Sequence, residues 1–299
     1  MKTIKAYKGF DEGLKCRDFQ YEEGKEYKID EKPIRCGDKG FHACDNPLDI
    51  LDYYDLCDSE FAEVEALGDI DRTGANDTKF ATNHIKIKTK INLAVFIKAS
   101  IDFVFAKSKI KNSNHASSGY GSKHASSGGG SNHASSGYGS KHASSGDYSQ
   151  HASSGDHSQH ASSGYRSQHA SSGNGSKHAS SGYGSKHAAS GDYSQHASSG
   201  DGSKHASSGD GSKHVSSGDH SKHASSGYGS KHEINGPKSI AMACGRNSLM
   251  KGKIGNWIVL AEYDDEGNNV IAVVSGKIDG KKIKEDVWYM AKNGEFKEA

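Results

Sequence analysis

The chain has 299 residues, a net charge of +1 and a hydrophobic fraction of 32%, too little apolar side chain to fill conventional cores from end to end. Near-neutral charge gives no electrostatic reason to expect nucleic acid or an anionic membrane as partner, and no apolar run approaches the ~20 residues that span a bilayer. The polar start Met1-Lys-Thr-Ile-Lys is unlike a signal peptide, so a cytoplasmic protein with reduced thiols at Cys16, Cys36, Cys44, Cys57 and Cys244 is expected.

Leu, Ile, Val, Phe and Trp concentrate in residues 1–110 and 233–299. In the first of these stretches, Lys5-Ala-Tyr-Lys, Phe61-Ala-Glu-Val-Glu-Ala and His84-Ile-Lys-Ile-Lys read as strands, because their side chains alternate with period 2. Asn46 followed by Pro47 reads as an N-cap and first helical position, with Leu48 and Leu51 on one face. A second helix is expected from Asn92 to about Lys107, where Leu93, Phe96, Ile97, Ile101, Val104 and Phe105 approximate an i, i+3, i+4 stripe. The region reads as a small α+β domain.

Two constellations in it carry chemistry. Cys36 and Cys44 flank His42, with Cys16 upstream, a set able to complete a tetrahedral zinc site; buried cysteine acting as a small hydrophobe explains the same residues without metal. Glu63 and Glu65 share one face of a strand and, with His42, form the enzymatic alternative, an ADP-ribosyltransferase-like pair of carboxylates. The simpler reading is two glutamates on the wet side of an amphipathic strand. No phosphate loop, nucleophile elbow or Ser-His-Asp order is present, so neither a catalytic set nor a cofactor is expected.

Tyr7-Lys-Gly-Phe-Asp, Cys16-Arg-x-Phe-Gln-Tyr-x-x-Gly-Lys, Lys39-Gly-Phe-His-Ala-Cys-x-Asn-Pro-Leu-Asp and Glu63-Val-Glu-Ala-Leu-Gly-Asp, together with Trp288-Tyr289 near the end, resemble an uncharacterised family of bacteriophages and prophages. In that family the N-terminal domain is followed by short Ser/Thr-Gly repeats and a C-terminal Trp-Tyr segment. The resemblance implies a phage or prophage origin, and hence the cytoplasm of an infected host cell, but no reaction. Its members carry Ala or Thr where this chain has His, so a role for the histidines is not implied by it.

From His115 to Lys231, thirteen nine-residue units of the form His-Ala-Ser-Ser-Gly-x-x-Ser-x follow one another without insertion. A flexible linker does not need such a strict period, whereas a stack of identical coils does. Nine residues are too few for two strands and two turns, so eighteen-residue coils with two thin parallel sheets are expected, with ~4.8 Å between stacked strands. Gly119 and its equivalents are expected at corners as residues of special backbone conformation. The residue before each His varies among Lys, Asn and Gln and reads as solvent-facing. Alternation then puts His124 and Ser126 on the inner face.

The histidines read first as a structural ladder. As a binding surface, the candidate positions are His124, His142, His160, His178, His196 and His214, with Lys123, Lys141, Lys177, Tyr138 and Tyr183, which together suit a small anionic ligand. A metal array is disfavoured because adjacent rows crowd cations. Calcium is disfavoured because Asp follows Gly in only some units, and an ice-binding face because threonine is missing from the repeat.

Beyond His232 the nine-residue spacing continues in Gly236, Gly245, Ser239 and Ser248, with Ile240, Met242 and Leu249 expected to supply apolar surface for a cap. Trp257-Ile-Val-Leu-Ala-Glu-Tyr and Val270-Ile-Ala-Val-Val-Ser read as strands joined by a turn. The fold class is mainly β, with an N-terminal α+β domain over 1–110, a two-sheet parallel β-solenoid over 111–252 and an antiparallel β cap over 253–299. The expected function is non-enzymatic: a multivalent binding or scaffold module for an unknown small anionic ligand, such as a nucleotide immune signal, or for a host protein. A surface or tail adhesin is the third class, and the sequence leaves the oligomeric state open.

Overall fold

The computed structural model describes residues 3–73, 77–107 and 115–299, without the side chains of 104–107. The chain divides into two compact units, Met1–Lys109 and Ile110–Ala299.

The first unit is built on an antiparallel seven-stranded sheet. Ile4–Phe10 lies in it between Glu60–Ala66 and Phe41–Cys44, so all but the glycine of the Gly-Phe-His-Ala-Cys run is a strand. Ala6, Phe10, Phe41, Val64, Phe80, Ile85 and Ile87 form the core. Asn46 caps the short helix Pro47–Ile50 through a side-chain bond from Leu48 N, and Asn92 accepts from Val95 N at the start of helix Leu93–Lys107. Phe96, Ile97 and Ile101 are buried as the stripe predicts, Phe96 against the Phe61 ring at 4.4 Å. Val104 and Phe105, expected on the same face, lie outside the described side chains.

In the second unit, alternate nonapeptides enter alternate sheets. One sheet starts at His115–Ser117 and takes every second strand to Trp257–Tyr263; the other starts at Lys123–Ser126 and runs to Leu249–Gly252. They are called here the His115 sheet and the His124 sheet. Pairing is parallel with a shift of eighteen residues, His115 on His133 and His124 on His142, which is the expected coil. Backbone bonds continue through the corners, for example Lys141 N to Ser122 O at 2.8 Å and Gly139 N to Asp156 O at 2.9 Å.

The corners correct the expected role of glycine. The left-handed residue is two positions after the repeat glycine: Gly121 (φ 64°), Gly139 (φ 65°) and, without glycine, Tyr148 (φ 58°) and Arg166 (φ 53°). Gly119 and its equivalents have ordinary φ and are needed for closeness instead. A Cβ on Gly137 would lie 2.0 Å from the carbonyl oxygen of Gly119, and one on Gly182 would lie 1.9 Å from that of Gly164. The repeat glycine is therefore the point where successive coils touch backbone to backbone.

The C-terminal strands do not form a separate sheet. Trp257–Tyr263 adds one more parallel strand beside Ile240–Ala243 and then turns back through Val270–Lys277, while Tyr289–Lys292 and Glu295–Glu298 extend the His124 sheet as an antiparallel hairpin. Ala241, Ala243, Met250, Ile258, Leu260, Ile278, Ile283 and Tyr289 replace the polar interior with an apolar core. Ile240 and Met242, expected to feed that core, occupy outward positions and are 42% and 41% exposed, while Leu249 is half-buried.

A methyl at the coil contact forces backbone apart, whereas one at the left-handed Gly229 meets open space. Gly182→Ala should therefore destabilise the second unit by roughly 1–3 kcal/mol, whereas Gly229→Asn should cost under about 1 kcal/mol; Gly229 has φ 65° and no atom near an added Cβ. Chemical denaturation of the two variants should show this order, and equal costs would mean that the coil contact is not the constraint.

Candidate functional site

Three places in the molecule concentrate chemistry: the solenoid interior, the outer face of the His115 sheet and a cleft in the first unit. The interior is polar. His133, His142, His151, His160, His169, His178, His187, His205, His214, His223 and His232 are all buried, and Ser126, Ser144 and their equivalents are buried on the same face. Parallel pairing makes two columns of rings. Within a column they stack, as in His160 on His178 at 4.8 Å and 4°; between columns they meet edge to face, as in His160 and His169 at 5.7 Å and 89°.

Serines tie the columns across the interior. His169 Nε2 lies 3.0 Å from Ser162 Oγ, His187 Nε2 3.0 Å from Ser180 Oγ and His232 Nε2 2.8 Å from Ser225 Oγ, each a hydrogen bond to the serine seven residues earlier. A second serine row closes the corners: Ser140 Oγ donates to Gly137 O at 2.9 Å and Ser203 Oγ to Gly200 O at 2.7 Å. The result is a His-Ser ladder with gaps: the bond is made at His124, His169, His187, His205, His214 and His232, whereas Nε2 of His133, His142, His151, His160, His178 and His223 is buried without a partner.

Burial governs the charge of this ladder. It pushes His133 down to about 4 and His142 to about 3, with repulsion from neighbouring histidines as a smaller cause, and it holds His151, His160, His169 and His178 well below the usual imidazole range. Below the unfolded value of ~6.5 the unfolded chain binds more protons than the folded one, so stability is full above that pH and falls beneath it. Each neutral buried histidine sacrifices up to ~1.4 kcal/mol per pH unit. The melting temperature should be flat from pH 8 to 7 and collapse cooperatively between pH 6.5 and 4.5. Circular dichroism melts decide it: an unchanged melting temperature at pH 5 contradicts a neutral core.

The six histidines proposed from sequence as ligand contacts, His124, His142, His160, His178, His196 and His214, are therefore buried in the ladder. The lysines named with them all belong to the His124 sheet, where Lys123 is exposed, Lys177 half-buried and Lys141 buried. Tyr138 and Tyr183 are exposed at the corners. Tyr138 stacks on Tyr120 at 5.2 Å and Tyr183 on Tyr165 at 5.5 Å, so both are held in coil-to-coil ring pairs. Aspartates after the repeat glycine do similar structural work: Asp147 accepts from Tyr165 N, Asp156 from Asn174 N and Asp210 from Tyr228 N.

On the outer face of the His115 sheet the small residues form rows. Ala116, Ala134, Ala152, Ala170, Ala188, Ala206 and Ala224, flanked by Ser136, Ser154 and their equivalents, line an open groove of about 1030 Å³ that reaches Met242 and Cys244. Beside the alanines run Asn132, Gln150 and Gln168 and then Lys186, Lys204 and Lys222, all exposed. No carboxylate among the described residues pairs with these three lysines. Sequence reasoning passed over this surface because alanine carries no chemical signal; the parity of the units, which sorts the lysines between sheets, was the available clue.

The first unit carries a half-open cleft of about 860 Å³, with Lys8, Cys16, Tyr21, His42, Tyr54 and Lys79 in its wall. Glu63 and Glu65 do not line it. Each is in an ion pair, Glu63 with Lys5 at 2.8 Å and Glu65 with Lys88 at 3.1 Å. His42 is half-buried, its Nε2 3.2 Å from Ile34 O, and burial lowers its pKa. Cys16 lies 3.1 Å from the Tyr54 hydroxyl, Cys36 is exposed and Cys44 is buried; among the described residues these three cysteines and His42 do not gather into a ligand set.

The unusual group there is Lys8. Its ammonium is buried, donates to Cys16 Sγ at 3.5 Å and sits 5.0 Å from the Phe10 ring and 5.4 Å from that of Tyr21, and burial lowers its pKa. With a thiol and two ring faces in place of a carboxylate, Lys8 gains little from its charge. Lys8→Met, which keeps the stem, should be neutral or stabilising by about 1 kcal/mol in urea denaturation; a loss above about 3 kcal/mol would show that the ammonium holds the unit together.

Residues 4–99 match a family described as a domain of unknown function (DUF7666). No curated protein matches the chain, and no solved structure does. Among the described residues no helix is long and apolar enough to cross a membrane.

Proposed function

We propose that the protein is a non-enzymatic, multivalent binding scaffold whose ligand lies along the outer face of the His115 sheet. The observation that carries the reading is the groove from Ala116 to Cys244, in which each coil from Ala116 to Ala224 presents the same small, open position. Catalysis needs one unusual constellation, whereas repetition multiplies a weak contact into avidity. Lys186, Lys204 and Lys222 give the C-terminal half of that face a positive row, which favours an anionic ligand, and the serine hydroxyls beside the alanines add donors. A nucleotide signal of the host fits this chemistry, as does the origin from a phage acting in the infected cell that the N-terminal motifs imply.

The enzymatic alternative is weaker. Glu63 and Glu65 are engaged by lysines and stand apart from the cleft of their unit.

Isothermal calorimetry with cyclic and ADP-ribose-type nucleotides tests the reading. Binding with more than one equivalent per chain is expected, and Lys186→Gln, Lys204→Gln and Lys222→Gln together should weaken it at least tenfold. Heat from none of the panel, or binding indifferent to the three lysines, removes the proposal.

A further inference from the structure

The tautomer that donates Nε2–H to serine leaves Nδ1 as a bare lone pair, the form in which neutral imidazole ligates metals. In the ladder these nitrogens are buried with no hydrogen-bond partner, among them Nδ1 of His205 and His214 and both ring nitrogens of His223. Burying a polar atom unpaired costs ~1–3 kcal/mol, so a row of them is a reservoir of unused donor capacity.

Along most of the rod the rings are evenly spaced, stacked at 4.8 Å with edge-to-face neighbours at 5.7 Å, as at His178 on His196 and His178 against His187. The pattern changes toward the C-terminal end. His205 and His223 stack at 4.5 Å with a 12° tilt, and His214 and His232 at 4.5 Å with a 21° tilt. There His205, His214 and His223 bring one ring nitrogen each to within 4.8 Å of one another, two from one column and one from the other. Just beyond, Ala241 follows His223 and Met250 follows His232, so the polar columns end on the apolar core.

We propose that His205, His214 and His223 form a three-coordinate site for a single copper(I) ion. Two of the rings are already oriented, since Ser198 Oγ and Ser207 Oγ hold Nε2 of His205 and His214 at 3.0 Å, which leaves each Nδ1 as an unpaired nitrogen. Metal–imidazole bonds of ~2 Å in a trigonal set require nitrogens ~3.5 Å apart, and because each lone pair lies in its ring plane, His205 and His223, stacked to within 12°, rotate out of their stack as the three nitrogens close on the ion. Charge selects the ion. The described buried residues of the rod include no Asp or Glu, so a monovalent d¹⁰ cation is far less costly to bury than a dication. Zinc, in addition, takes a fourth ligand that this triad does not supply.

The test uses the full chain with exposed Cys36 and Cys244 replaced by serine, titrated anaerobically with copper(I) at pH 7.5 against bicinchoninate and examined by X-ray absorption. One tight equivalent with a first shell of nitrogen alone is expected, and zinc(II) in a parallel titration should bind at least a hundredfold more weakly. His223→Asn should weaken copper binding at least a hundredfold. His133→Asn with His142→Asn, the same disturbance of the ladder at its far end, should leave binding unchanged and so controls for damage to the fold. Sulfur in the first shell, absence of a tight equivalent, or equal loss in both variants overturns the site.

Discussion

Each residue of the rod has its own copy eighteen positions away as its neighbour, and the consequences of that register reach every part of the second unit. A side chain that cannot sit against itself at the spacing of parallel strands is excluded from the interior. Imidazole meets the condition by stacking face to face at 4.8 Å, and serine meets it by bonding to the imidazole of the opposite column. Glycine meets the most severe form of the condition, because at its position the next coil's carbonyl occupies the space of a Cβ. Outward positions are less constrained: the residue before each His varies among Lys, Asn and Gln, and the corners diversify into Tyr, Asp, Asn, Arg and His.

This is why so much of the fold was legible. A nine-residue period too short to close a coil implies eighteen, and variable Lys, Asn or Gln before each His places the histidine inside by simple alternation. What could not be read is why a position is invariant among its copies. Gly119 reads equally well as a left-handed corner or as a close contact, and only the distance from Gly137 to its carbonyl separates the two. The left-handed corner accepts Tyr148 and Arg166 and so never announced itself as a glycine position. At Ile240 and Met242, apolar character was read as burial, yet the repeat's phase had already assigned both to the outer face.

The candidate site was less legible than the fold because the proposed binding surface carries no reactive residues. Histidine and tyrosine drew attention as chemically capable side chains, and the structure uses them in stacks. The groove is lined by alanine and serine, residues whose meaning appears only when alternate units are assigned to alternate sheets and the rows align. The same sorting separates Lys186, Lys204 and Lys222, which border the groove, from Lys123, Lys141 and Lys177 on the other sheet. In the first unit, spacing without a Cys-x2-Cys knuckle failed to converge, while Lys8, an ordinary letter in an amphipathic strand, proved to be a buried charge without a carboxylate partner.

A polar interior also divides the labour between inside and outside. An apolar filling holds a solenoid together by its area removed from water, and such a core is indifferent to pH and offers no donors. The His-Ser ladder gains order from directional bonds and ring stacking at the cost of desolvated nitrogens, so its stability depends on the histidines remaining neutral. The apolar residues return where repetition ends: Ala241, Met250 and Ile258 take over the columns, and the two hairpins cover them. A stack of identical polar coils has no internal signal to stop, and this change of chemistry beneath His223 and His232 is what terminates it.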